Sequence, residues 1–172
     1  MLSKVLKKST CADCKFCCSF RKKSLWETPV FPKETMDKLE QSYKGQDGRT
    51  VTFTREQQEG YEYGRMNLLS KYKTQDTEEE APCEFLDQHK GCVLSPEDKP
   101  FDCKIWPLRI MKKEDKLVIA LTPTCPGINS QPVEVMEQLV KEGLGQTIYE
   151  YAKEHPYMIK DYKEGFPVLM QF

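Results

Sequence analysis

The segment C-A-D-C-K-F-C-C, residues 11–18, constrains this chain more than any other stretch. Two-residue gaps between Cys11, Cys14 and Cys17 let the backbone curl so that successive sulfurs face one centre. Cys83, Cys92, Cys103 and Cys125 follow beyond a long middle segment and bring the total to eight cysteines. Zinc takes four ligands in a tetrahedron, with Zn–S near ~2.3 Å. A [4Fe-4S] cluster also takes four thiolates, commonly from C-x2-C-x2-C and one remote cysteine. Here the triplet is Cys11, Cys14 and Cys17. Cys125, followed by Pro126, suits the remote position, since ferredoxin motifs often end in Cys-Pro. Cys18 adjoins Cys17, and neighbouring side chains tend to point apart. Cys18 therefore serves a second centre with Cys83, Cys92 and Cys103, or is a buried structural thiol. One centre with spare cysteines is also compatible with the spacing. Charge does not choose the metal: four thiolates around Zn²⁺ or around an oxidised cubane leave the same net negative charge.

Disulfides are the rival use of eight cysteines, and they need an oxidising compartment. The opening MLSKVLKKST is basic but has neither the apolar core nor the small-residue cleavage site of a secretory signal. No run of about 18 apolar residues is present, so a membrane-spanning helix is not expected. The expectation is a cytoplasmic chain with reduced thiols that bind metal ions. Net charge is −1, which alone implies no nucleic-acid partner. Residues 1–25 nevertheless hold Lys4, Lys7, Lys8, Lys15, Arg21, Lys22 and Lys23 against Asp13 alone. This basic zone reads as a counterweight to an anionic metal centre. A nucleic-acid patch is its less favoured alternative.

Hydrophobic spacing predicts a helix from Lys33 to Tyr43, with Met36, Leu39 and Tyr43 on one face. T-R-E-Q at Thr54 is a capping box with Gln57 at its third helical position, and predicts a second helix through Tyr61, Leu68, Leu69 and Tyr72. Gly60 and Gly64 argue against it, at about 1 kcal/mol each. Val51 and Phe53 suggest a short strand before it. Residues 73–80, KTQDTEEE, read as a mobile acidic loop. Ile105 to Met111 and Leu117 to Leu121 predict a β-hairpin. Ser130 or Gln131 caps a further helix with Pro132 in its first turn. Val135, Met136, Leu139, Val140, Leu144, Ile148, Tyr151 and Ala152 recur at helical spacing, ending near His155. The tail, with Phe166, Leu169 and Phe172, is expected to dock on the body. The fold class is α+β: one small domain over 1–172, with cysteine-rich metal-binding loops, a short hairpin and packed helices. Its metal region spans 11–127, and the C-terminal helix and tail span 130–172.

C-x-x-C-x-x-C-C, then Cys83-Glu84-Phe85-Leu86, Gly91-Cys92, Pro100-x-x-Cys103 and Cys125-Pro126-Gly127 together resemble the YkgJ-type cysteine-cluster proteins, the zinc- or iron-chelating CxxCxxCC domain. The resemblance runs from Cys11 to about Gly127 and takes in all eight cysteines in order. It implies metal binding, and distantly a flagellin lysine N-methylase that depends on S-adenosylmethionine. Lys99-Pro100 stands where the family usually has Arg-Pro. Cys103-Lys104-Ile105-Trp106-Pro107 stands where it usually has Cys-Arg-x-(Phe/Tyr)-Pro. Lysine keeps the charge but loses bidentate hydrogen bonding. No glycine-rich strand–turn–helix fingerprint for a nucleotide-type cofactor is present. The functional expectation is a cytosolic metal-thiolate protein holding one or two [4Fe-4S] clusters in a redox, sensing or cofactor-dependent role. The alternatives are a zinc module that binds a protein partner, and a methylase-like enzyme. The sequence leaves enzymatic activity undecided. His89 reads as a solvated turn residue, with metal ligation as its sharper alternative. Phe101 and Trp106 read as shields for the centre. His155 suits a helix C-terminus. No residues form a Cys-His nucleophile pair or a paired-carboxylate site.

Overall fold

The computed structural model describes residues 2, 5, 10, 13–45 and 48–172. They form two compact units, one within Cys11–Phe101 and one from Asp102–Phe172 with the described residues of Met1–Thr10. Helices and sheets occur in both, so the α+β expectation holds. Among the described residues no helix is long and apolar enough to cross a membrane.

The unit within Cys11–Phe101 is assembled from short strands. β1 (Ser19–Arg21) precedes β2 (Phe31–Pro32), and the helix Lys33–Ser42 follows directly. That helix buries Met36 and Leu39 as its spacing requires. β3 (Phe53–Gln58) and β4 (Tyr61–Met66) come next, and β2-β4-β3 form one antiparallel sheet. β5 (Glu80–Pro82) pairs with β1, and β6 (Leu86–Asp87) pairs with β7 (Gly91–Cys92). Phe31 anchors the core, with ring centroids 5.1 Å from Phe53 and 5.8 Å from Phe85. Met36, Leu39, Val51, Met66 and Leu68 fill the space around these rings.

The helix expected from Thr54 is instead the β3–β4 hairpin. Gln58 faces Tyr61 across a two-residue turn, with Glu59 at φ 51° and Gly60 at φ 85°. Two positive φ values are what a tight hairpin turn needs, and glycine supplies the second without a Cβ penalty. Cross-strand pairs then outweigh the capping box. Arg55 binds Glu62 at 2.7 Å, Arg65 binds Glu56 at 2.7 Å, and the Tyr63 hydroxyl donates to Glu56 at 2.9 Å. Gly64 has its own reason: a Cβ there would lie 2.5 Å from the Thr54 carbonyl oxygen and 2.7 Å from Met36 Sδ.

In the other unit, β8 (Leu108–Lys113) and β9 (Lys116–Leu121) form the expected hairpin. The first strand begins later than predicted, because Phe101–Ile105 is a short helix and Pro107 lacks an N–H for the ladder. β10 (Lys160–Asp161) runs parallel to β8, and β11 (Val168–Gln171) runs antiparallel to β9, giving the order β10-β8-β9-β11. The tail thus docks as sheet edges, and Phe172 stacks on Tyr149 at 4.2 Å. The long C-terminal helix is two helices, Val133–Leu139 and Gly145–Glu154, joined by a wide turn at Val140–Leu144. Gly143, at φ 121°, breaks the row. Pro132 precedes the first of these helices without a side-chain cap from either expected residue. Leu108, Ile110, Ile119, Met136, Val140, Ile148 and Ala152 are buried.

Candidate metal centre

Cys11 lies outside the described residues. Cys14 is exposed, while Cys17 and Cys18 are half-buried in a single helical turn, Phe16–Cys18, that leads into β1. The β1–β5 ladder pairs Ser19 with Pro82, Phe20 with Ala81 and Arg21 with Glu80. It continues by one residue at each end. The Lys22 N–H donates to the Glu79 carbonyl at 3.0 Å, and the Cys83 N–H donates to the Cys18 carbonyl at 2.7 Å. Cys18 and Cys83 therefore stand opposite each other. The Cys18 N–H does not return to Cys83 but donates to the Lys15 carbonyl at 2.9 Å, closing the Phe16–Cys18 turn.

Cys92 comes from the next hairpin. It faces Leu86 in β7, and the Leu86 N–H donates to the Cys83 carbonyl at 3.1 Å. The Tyr43 hydroxyl donates to the Glu84 carbonyl at 3.2 Å. Burial raises its pKa, and the nearby charges of Cys83, Glu84, Cys92 and Asp87 raise it further. Cys83 and Cys92 thus share one electrostatic neighbourhood around Tyr43. Lys15 donates to the Gln88 carbonyl, which ties the N-terminal cysteine segment to the β6–β7 turn. A hydrogen bond with the Cys18 thiol, then burial, pushes the Cys17 thiol far above its ordinary range, against the opposing charge of Lys99.

The β6–β7 turn explains His89. The Asp87 carboxylate accepts the N–H groups of His89 and Lys90, both at 2.8 Å, which hold its pKa below the usual carboxylate range. The imidazole of His89 is exposed in that turn. The acidic segment 73–80, read from the sequence as a mobile loop, is hydrogen-bonded and ion-paired. Glu79 accepts from the Lys73 N–H at 2.7 Å and the Thr74 N–H at 2.8 Å. Arg21 pairs with Glu80 at 3.1 Å, and Lys23 pairs with Glu78. Part of the basic N-terminal zone is therefore matched by this acidic strip.

Cys103 and Cys125 belong to the other unit. Cys103 is half-buried in the helix Phe101–Ile105, and Cys125 is buried just before Pro126–Asn129. The Cys125 carbonyl accepts the N–H groups of Ile128 at 3.1 Å and Asn129 at 2.8 Å. Beside Cys103, the fully buried Asp102 accepts from Arg109 at 2.6 Å, with Lys160 at 3.9 Å. Trp106 lies 4.6 Å from the Arg109 guanidinium. Sequence reasoning missed this charge cluster. Asp102 and Arg109 lie seven apart on different elements, so no single period links them.

The seven described cysteines carry thiols rather than disulfides. Among the described residues, no group of three or more His, Cys, Asp or Glu side chains is gathered for a metal ion. The donor chemistry fits a soft metal or an iron–sulfur cluster, both of which select thiolates. No family model, no curated protein and no solved structure matches the chain.

Proposed function

We propose that this chain is a cytoplasmic metal-thiolate protein, with an iron–sulfur cluster of the [4Fe-4S] type in a redox, sensing or cofactor-dependent role. The opposition of Cys18 and Cys83 across the β1–β5 ladder supports the reading most directly. A backbone hydrogen bond joins two cysteine residues 65 apart in sequence, and the Cys18 thiol is hydrogen-bonded with Cys17. The resemblance to the YkgJ-type cysteine-cluster proteins points the same way. Cys11, Cys14, Cys17, Cys18, Cys83 and Cys92 are the proposed ligands within their unit. Cys103 and Cys125 are included on their sequence pattern. The triplet Cys11, Cys14, Cys17 and the Cys125-Pro126 pair favour a cubane over zinc. A bound cluster would supply electron transfer or Lewis acidity. The chain's own residues would orient thiolates and limit water around them.

Metal and acid-labile sulfide content, on protein purified without oxygen, tests this. Iron with matching sulfide, and broad absorption near ~400 nm from iron–thiolate charge transfer, supports the cluster. Zinc without sulfide replaces it with a structural thiolate scaffold whose surface binds a protein partner. Neither metal, in protein never exposed to chelator, overturns the reading. Binding of S-adenosylmethionine by the metallated chain would instead support the methylase alternative implied by the resemblance.

A further inference from the structure

We propose that Cys17 and Cys18 are a two-thiol chelate for a trivalent arsenical. Side chains of adjacent residues ordinarily diverge, yet here the Cys18 thiol is hydrogen-bonded with Cys17, which places the two sulfurs in contact. The turn Phe16–Cys18 holds them in this arrangement. Lys15 enters it at φ 55°, and the Cys18 N–H closes on the Lys15 carbonyl at 2.9 Å. The Lys15 ammonium donates to the Gln88 carbonyl and anchors the turn to the β6–β7 hairpin. The backbone of both cysteines is thus set before a ligand arrives, and binding orders little more than two thiol rotors. Both residues are half-buried, so a small reagent reaches them and the core does not seal them. The strand-borne cysteines are placed differently: the Cys83 thiol lies 3.7 Å from Met66 Sδ, and Cys92 stands opposite Leu86.

Trivalent arsenic is small and soft, and thiolates select it as they select soft metals. Phenylarsine oxide is the matching probe, because its phenyl group holds one position on arsenic and two sulfurs complete the atom. Each thiol forms one As–S bond and gives up its proton. The bonds from arsenic to oxygen break, and the oxygen leaves with both protons as water. Arsenic stays trivalent, so nothing is oxidised or reduced. The second As–S bond closes within one molecule, at the high effective concentration of a sulfur already in contact with the first. Both cysteines are also among the ligands proposed for the cluster. Only the competition between cluster and arsenical rests on that reading.

The test adds one equivalent of phenylarsine oxide to the full chain, chelated and reduced with a phosphine, followed by tryptic mapping. Trypsin cuts after Lys15 and Arg21, so the peptide of residues 16–21 carries Cys17 and Cys18 and no other cysteine. The expected product is one phenylarsenic group within that peptide, with two hydrogens lost, stable to glutathione and removed by dimercaprol. Cys17→Ser and Cys18→Ser are each expected to abolish it, and Cys14→Ser to keep it. Mapping the unsubstituted chain locates the site even where a variant fails to fold. Arsenic bridging residues 16–21 to another peptide, arsenic spread over several cysteine pairs, or no adduct would overturn the proposal. The same preference in urea would mean that adjacency alone, without the folded turn, makes the site, and would also count against it. The reaction is then repeated on the metal-loaded chain. Equal rates with and without metal would remove the metal reading for this pair and leave the arsenical site standing. No adduct in the chelated chain would remove the arsenical site and leave the metal reading standing.

Discussion

Asp102 carries the buried negative charge beside two cations in the unit formed by Asp102–Phe172. Its carboxylate is buried between the buried cations of Arg109 and Lys160. An ion pair in this setting adds little net stability compared with apolar packing, but breaking it leaves charge without compensation, at about 3–5 kcal/mol. Asp102→Asn keeps the shape and removes the charge. It is expected to lower the unfolding free energy, measured by urea denaturation, by an amount in that range. A loss below about 1 kcal/mol would mean that water, rather than Asp102, satisfies the two cations. Gly64 is the corresponding residue of the other unit. A Cβ at this position would meet the Thr54 carbonyl oxygen at 2.5 Å, and backbone cannot yield as a side chain can. Gly64→Ala is expected to destabilise by about 1–3 kcal/mol, the range for overpacking. Shortening Met36 in the same chain is not expected to restore it, because the closer contact is with backbone. Urea denaturation of the single and double variants checks both points.

At the scale of elements, Glu79 organises the arm that delivers Cys83 to Cys18. Its carboxylate accepts two backbone N–H groups and the Thr74 hydroxyl, and these bonds hold its pKa below the ordinary value of about 4.3. A depressed folded pKa contributes stability that is present above the unfolded pKa and is lost as pH falls through the folded one. The arm is therefore expected to loosen in acid, below the usual glutamate range. In an NMR titration the Lys73 and Thr74 amide shifts should move with the Glu79 carboxylate, and Glu79→Gln should abolish that coupled step. Separate midpoints for the amides and the carboxylate would count against this account. The sequence reading missed this arm because three adjacent glutamates look solvated. Their partners, Arg21, Lys23 and the 73–74 backbone, are brought near only by the β1–β5 register. The Lys33 helix was legible, since Met36 and Leu39 carry a helical period. The β3–β4 hairpin was not, because T-R-E-Q satisfies a local helix rule, and what overrides it is the Glu59-Gly60 turn with pairs formed across it. The β8–β9 hairpin was legible in its β-branched runs. The break at Gly143 was hidden inside an otherwise continuous apolar row.

Across the molecule the cysteines were legible as a spacing, while their geometry depends on long-range pairing. That Cys18 meets Cys83 follows from Phe20 and Ala81 both being buried at one ladder rung, a match that no local pattern encodes. The two units also differ in what holds them. β8 and β9 are flanked by β10 and β11 in one four-stranded sheet backed by helices. The described residues within Cys11–Phe101 divide their strands among three small sheets, two of them of only two strands. Two-stranded ribbons are marginal by themselves in water. Thiolate ligation at Cys18, Cys83 and Cys92 would brace both ribbons, and binding confined to the folded form stabilises it by mass action. Metal removal is thus expected to act unevenly. Hydrogen exchange on the chain before and after chelation should show β1, β5 and residues 83–93 losing protection. The β8–β9 ladder should keep its own. Restoring iron and sulfide, or zinc, should return the lost protection, and Cys18→Ser should prevent that return. If exchange in β1, β5 and 83–93 is the same with and without metal, the ribbons are held by Phe20, Ala81 and Phe85 alone. A metal bound elsewhere in the chain would then have no structural part in them.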